Sequence, residues 1–112
     1  MDDRDNLMDV ARDVENTTLD PAQILLTDQV AVVTGGGGGI GQGMALGLAK
    51  FGCDVAVIDI EPERCAATAA AVERLGRSAV GIPCDVMDTA ALTAAIDQVH
   101  ERFGRLDILV NN

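Results

Sequence analysis

The sequence predicts an α/β fold, a parallel β-sheet with helices on both faces. Three observations predict it. Four short apolar runs alternate with three longer segments whose apolar residues recur at helical spacing. Apolar residues make up 48% of the chain but aromatics only 2%, so the core must be Val, Ile, Leu and Ala, which suits strands buried on both faces. The first apolar run, Val30-Ala31-Val32-Val33, breaks at Thr34 into Gly35-Gly36-Gly37-Gly38-Gly39-Ile40-Gly41, where a helix begins.

Each element follows in chain order. The first strand spans about Gln29 to Thr34. Helix one runs from about Ile40 to Phe51, with Ile40, Met44, Leu48 and Phe51 on one face as its expected core side, and Gly52 ends it. Strand two covers Cys53 to Ile60. Glu61-Pro62-Glu63 opens helix two, whose expected core face is Cys65, Ala69, Val72 and Leu75, with Gly76 closing it. Strand three runs from Ser78 to Cys84. Asp88 reads as the N-cap of helix three, which buries Leu92, Ala95, Ile96, Val99 and Phe103 and stops at Gly104. Leu106 to Val110 is strand four, before Asn111-Asn112. The βαβαβαβ order with right-handed crossovers predicts sheet order 3-2-1-4, a Rossmann-type three-layer sandwich with a partial parallel sheet. Ligands belong at the strands' carboxyl ends, where Gly35–Gly41, Asp59, Asp85 and Asn111-Asn112 all fall.

The length of 112 residues allows one domain. Residues 26–112 form it, preceded by an acidic arm over 1–25, flexible or a short helix with Leu7, Val10 and Val14 at helical spacing. The formal charge is −10, and the arm is its densest part: residues 1–28 carry eight acids and two arginines. Such a surface repels nucleic acid and anionic lipid. The acidic start and the lack of an apolar segment exclude a secretory signal peptide, and no run approaches a membrane span. Cys53, Cys65 and Cys84 lack CxxC spacing and read as small buried thiols, which fits a reducing cytoplasm. No metal ligands are nominated.

A strand that breaks into glycines and restarts as a helix is a phosphate-binding turn, since glycines admit a pyrophosphate to the main chain and the helix aims its N–H groups at the anion. The glycine run alone fits GxGxxG (Gly36, Gly38, Gly41), GxGxG (Gly39, Gly41, Gly43), TGxxxGxG (Thr34, Gly35, Gly39, Gly41) and TGxxGxxG (Gly35, Gly38, Gly41). A P-loop is excluded, because Met44 follows Gly43 and no lysine occurs before Lys50. A methyltransferase that binds S-adenosylmethionine would place an acid before its first glycine, where this chain has Val33-Thr34. The downstream residues favour a dinucleotide, beginning with Asp59. An acid ending strand two can accept hydrogen bonds from the adenosine ribose hydroxyls and repels a 2′-phosphate, so NAD is preferred over NADP. The competing reading of Asp59 is a solvated strand-end acid. Arg64, which could swing toward a phosphate, is read as a surface charge.

These residues resemble the short-chain dehydrogenase/reductase family, single-domain type, over residues 26 to 112. The resemblance is carried by Thr34-Gly35-x-x-x-Gly39-Ile40-Gly41, Asp59, Cys84-Asp85-Val86 and the block Phe103-Gly104-Arg105-Leu106-Asp107-Ile108-Leu109-Val110-Asn111-Asn112. It implies an NAD(H)-dependent oxidoreductase that moves hydride between nicotinamide and an alcohol or carbonyl carbon. It also implies that the loop residues Gly35, Gly37, Gly38, Gly39, Ile40 and Gly41 hold the pyrophosphate and Asp59 the ribose. Asp85 and Val86 would border the adenine, and Asn111 and Asn112 would line the cofactor beside strand four. For the full-length protein it implies a small-molecule substrate and a homo-oligomer.

The family's Tyr-x-x-x-Lys pair and serine have no counterpart. The chain has no tyrosine, its only lysine is Lys50 on helix one, and its only serine is Ser78 before strand three. His100 reads as a solvated helix residue. No catalytic residue is therefore nominated, and the chain is read as the amino-terminal part of a longer enzyme, inactive alone. The alternatives are a non-catalytic dinucleotide-sensing module and, behind it, the methyltransferase.

Overall fold

A computed structural model describes residues 24–112. The expected arm falls almost wholly outside the described residues, as does its possible helix. The elements are β1 (Val30–Thr34), α1 (Gly39–Lys50), β2 (Asp54–Asp59), α2 (Pro62–Arg74), β3 (Ala79–Pro83), α3 (Thr89–Phe103) and β4 (Ile108–Val110). The strands form one sheet in the order β3-β2-β1-β4. Every pairing is parallel, with Val32 opposite Ala56 and Leu109, and Val57 opposite Gly81. This is the predicted topology.

The two-residue period of the strands divides the core. Ala31, Val33, Val55, Val57 and Ala79 face α1 and α2, packing on Ala45, Ala49, Ala69 and Val72. Val30, Val32, Ala56, Ile58 and Ile82 face the other way, onto Ala95 and Val99 of α3. The crossovers from β1 through β3 thus use one face, and the return to β4 uses the other. That reversal opens the crevice beside β1.

Three expectations change. Helix one was expected to bury Ile40, Met44, Leu48 and Phe51, yet Ile40 is 73% exposed and Met44 and Phe51 are also exposed, while Leu48 is only partly buried. Gly41, Ala45 and Ala49 face the sheet instead. Small side chains let this helix lie close to β1 and β2, and the larger residues are turned outward. Leu75 of helix two is likewise exposed, and Thr68 takes a buried place, where its hydroxyl accepts a hydrogen bond from Gln42 Nε2 at 3.3 Å. Strand four begins at Ile108, and Leu106 lies exposed ahead of it.

Helix ends follow local chemistry. Asp88 caps α3, its carboxylate accepting the Ala91 N–H at 3.1 Å, and Gly104 closes that helix at φ +76°. Pro62 stands at the first position of α2.

Candidate functional site

Because all strands run the same way, their carboxyl ends share one rim with the helix N-termini. The rim carries Gly35–Gly38 after β1, Asp59 at the end of β2, Asp85-Val86 after β3 and Asn111-Asn112 after β4. Between them lies an open cleft of about 260 Å³, lined by Gly35, Asp59, Ile60, Cys84, Asp85, Val86 and Asn112.

The glycine loop is pressed against this rim. Gly35 turns the chain at φ +63°, and the Gly36 N–H donates to the Ile58 carbonyl at 3.2 Å. The Gly37 N–H donates to Asp59 Oδ2 at 3.0 Å. A Cβ on Gly37 would stand 2.7 Å from that oxygen and 2.6 Å from Arg64 Cβ. One on Gly41 would strike the Gly35 carbonyl oxygen and come within 2.6 Å of Asn112 Nδ2. At Gly38 and Gly39, by contrast, the Cβ positions meet open space or only the tip of Arg64. Gly38 caps α1 with no side-chain hydrogen bond, and the first turn holds no acid. The N-terminus of α1 is thus left without the internal carboxylate that satisfies α3.

The two rim acids are held by backbone. Asp59 Oδ1 accepts the Glu61 N–H at 3.1 Å, and Asp85 Oδ1 accepts the Met87 N–H at 2.9 Å. A carboxylate accepts about four hydrogen bonds, so each keeps free lone pairs at the cleft. Thr34 locks β4 to β1: its hydroxyl accepts the Asn112 N–H at 3.0 Å and lies 3.3 Å from the Val110 carbonyl and 3.4 Å from Asn111 Oδ1 as donor. Asn112 Nδ2 reaches across to the Gly35 carbonyl at 3.2 Å.

The predicted site residues are therefore brought to one rim, but not to one wall. Gly35, Asp59, Asp85, Val86 and Asn112 line the cleft, and Gly37 is joined to it through Asp59. Gly38, Gly39, Ile40 and Gly41 make the loop's continuation into α1. Asn111 instead lines a second hollow of about 310 Å³ with Thr34, Val86, Leu92, Ile96 and Leu109. Sequence reasoning missed Ile60 and Cys84 as lining residues. Ile60 carried a signal: an apolar residue just past the end of a strand, here 65% exposed.

Burial pushes the thiols of Cys53, Cys65 and Cys84 above their ordinary pKa, which keeps them protonated and poorly nucleophilic. All three are unpaired. Among the described residues no group of His, Cys, Asp and Glu is arranged to hold a metal ion, and no helix is long and apolar enough to cross a membrane.

Comparison with known proteins agrees with this architecture. The family model for short chain dehydrogenases matches residues 29–112. The 2-dehydro-3-deoxy-D-gluconate 5-dehydrogenase of Escherichia coli is 46% identical over 88 residues, which is 78% of this chain and 34% of that enzyme. Hydroxysteroid dehydrogenase from Escherichia coli superimposes with a TM-score of 0.78 at 30% identity, covering 80% of this chain and 38% of that one. Carveol dehydrogenase from Mycobacterium avium, solved in complex with NAD, gives a TM-score of 0.75 at 37% identity, covering 78% and 36%. The chain thus spans about a third of the length of the relatives it matches. With the parallel 3-2-1-4 sheet, the glycine turn and these matches together, the chain belongs to the short-chain dehydrogenase family.

Proposed function

We propose that this chain is the NAD(H)-binding portion of an oxidoreductase acting on a small alcohol or carbonyl compound. The observation that carries the reading is Asp59, a carboxylate fixed by the N–H groups of Gly37 and Glu61 at the wall of the rim cleft. An acid in that position accepts from the vicinal hydroxyls of an adenosine ribose and repels a 2′-phosphate.

The residues present fit a dinucleotide. The loop positions whose Cβ volume is filled by neighbours are glycines, and the start of α1 carries no side-chain cap. Gly35, Gly37, Gly38, Gly39, Ile40 and Gly41 would seat the pyrophosphate. Asp59 would hold the ribose, with Asp85, Val86 and the missed Ile60 bordering the adenine. Asn112 would brace the loop through the Gly35 carbonyl, and Asn111 would stand beside β4. The NAD complex of carveol dehydrogenase supports a nicotinamide cofactor. Bound there, the cofactor would supply hydride transfer at the nicotinamide.

The chain contains no tyrosine, and Lys50 closes α1 at the opposite end of the sheet. We therefore assign the proton-transferring residues to sequence outside this chain, so that its own role is to bind and orient. Three buried unpaired thiols support a reducing, cytoplasmic setting, and the family resemblance supports a homo-oligomer.

Fluorescence titration with NADH, NADPH and S-adenosylmethionine tests the reading. The expected order is NADH tighter than NADPH, with no response to S-adenosylmethionine. NADPH binding without NADH binding would sink the assignment of Asp59.

A further inference from the structure

We propose that the acidic arm ahead of residue 24 folds back onto its own domain and docks on the neighbouring C-terminal ends of α1 and α2. The inference is independent of the nucleotide reading, because this end of the sheet lies opposite the rim.

The surface is the first argument. Lys50-Phe51-Gly52 ends α1 and Arg74-Leu75-Gly76 ends α2, so each helix finishes in a cation, an apolar residue and a glycine. The two helices pack together on one face of the sheet and run against their strands, which brings these ends side by side. A cation at a helix C-terminus complements the dipole and needs no further partner. The apolar residues have no such reason to be there: Phe51 is 48% exposed and Leu75 41%, and Ile24 and Leu25 are exposed as well.

The place where the arm meets the domain is the second. The Leu26 N–H donates to the Phe51 carbonyl at 2.7 Å, and the Asp28 N–H to the Gly52 carbonyl at 3.1 Å. Arg77, the residue after Gly76, pairs with Asp28 at 3.1 Å. The chain entering β1 therefore passes between the two helix ends. Residues 1–23 lie outside the described residues and join the domain at this point. Glu15 precedes Ile24 by nine residues, which can span up to about 30 Å. Packed helices lie only about 10 Å apart, so either helix end is within reach.

Complementarity is the third. Residues 1–23 carry seven acids and two arginines. Among them Leu7, Val10 and Val14 recur at helical spacing, and Asp9, Asp13 and Glu15 adjoin those apolar positions. An apolar stripe beside acids matches an apolar patch beside Lys50 and Arg74. None of the ion pairs among the described residues includes either cation. Exposed ion pairs each contribute little, so burial of Leu7, Val10 and Val14 on Phe51 and Leu75 holds the arm and the charges orient it.

Lys50 is the only lysine in the chain, so carbodiimide coupling of the full chain, which joins a carboxylate directly to an amine in contact with it, reads the docking at one side chain. Peptide mapping is expected to find Lys50 joined to Asp9, Asp13 or Glu15. The yield should fall at least about threefold in Leu7→Ser/Val10→Ser, which keeps every acid, and as much in Phe51→Ser, whose side chain is already exposed. Combining the two sets should cost little more than either, since both remove one contact. Salt at about 1 M, where the Debye length is about 3 Å, should lower the yield as well. Equal yields in the unaltered chain and these variants overturn the docking and leave the arm a charged tail, as does a Lys50 joined to no arm carboxylate. Hybrid-mass products from a mixture of isotopically light and heavy chains would place another copy's arm on this surface and overturn the intramolecular docking.

Discussion

The two ends of the sheet use the same residue, aspartate, in opposite ways. At the strand N-termini each carboxylate that ties elements together meets an arginine. Arg77 bridges Asp28 and Asp54, both at 3.1 Å, and Arg105 binds Asp107 at 2.7 Å while Asp107 also accepts the Val30 N–H at 2.8 Å. At the carboxyl ends, Asp59 and Asp85 are held by backbone N–H groups, and none of the ion pairs among the described residues includes either of them. A carboxylate paired with a guanidinium has its charge compensated inside the fold. A carboxylate held by neutral donors is equally fixed but keeps its charge and spare lone pairs for a ligand. The contrast separates the end that holds the strands from the end proposed to hold a nucleotide.

The largest expected effect comes from Gly41→Ala, because the new Cβ would strike the Gly35 carbonyl and Asn112 Nδ2 at the rim. NADH titration should show binding lost by more than about tenfold, with stability lowered by about 1–3 kcal/mol from overpacking. Normal NADH binding in this variant would break the claim that the loop must lie flat on the rim. Gly81→Ala is a control between the two ends. Its Cβ would sit 2.8 Å from the Cys65 backbone, so chemical denaturation should show a loss of about 1–3 kcal/mol. The NADH/NADPH affinity ratio should stay put, and a shift would mean that α2 packing and nucleotide choice are not separable.

Asp59→Ala should then move that ratio about tenfold toward NADPH, about 1.4 kcal/mol, with NADH itself weakened. An unchanged ratio would demote Asp59 to a surface acid. The smallest effect is at the other end. Arg105, bonded to its carboxylate, and then the Val30 N–H hold Asp107 below the usual carboxylate pKa. Its contribution to stability is therefore fully present above the unfolded-state value of about 4 and is lost as pH falls through the lower folded value. Denaturant midpoints followed from neutral pH to below pH 4 should decline less steeply in Asp107→Asn than in the unaltered chain. Parallel declines would remove Asp107 from the acid response.

Much of this molecule was readable along the chain, and its misreadings have definite causes. Strand runs, closing glycines and the Asp88 cap are local signals, and their order led to the observed sheet. Helix one misled because it carries two stripes. The larger apolar residues, Ile40, Met44 and Phe51, weigh more in any hydrophobic pattern, but Gly41, Ala45 and Ala49 permit the closer approach to the sheet and so were buried. Similarly, the candidate site residues were readable as types at strand ends, whereas Ile60 was passed over because an apolar residue beside a strand looks like more strand.

By itself the sequence determined the βαβαβαβ order, the glycine-rich turn after β1, and an acid at the end of β2. Those follow from periodicity, turn chemistry and short-range geometry. Only the tertiary structure decided which face of α1 is buried, that Gly37 donates to Asp59, that Asn112 closes on Gly35, and that Arg64 and Asp59 both press on Gly37. The physical reason is the same throughout. These contacts join residues far apart in the chain, and they are set by how closely backbones approach when there is no side chain between them.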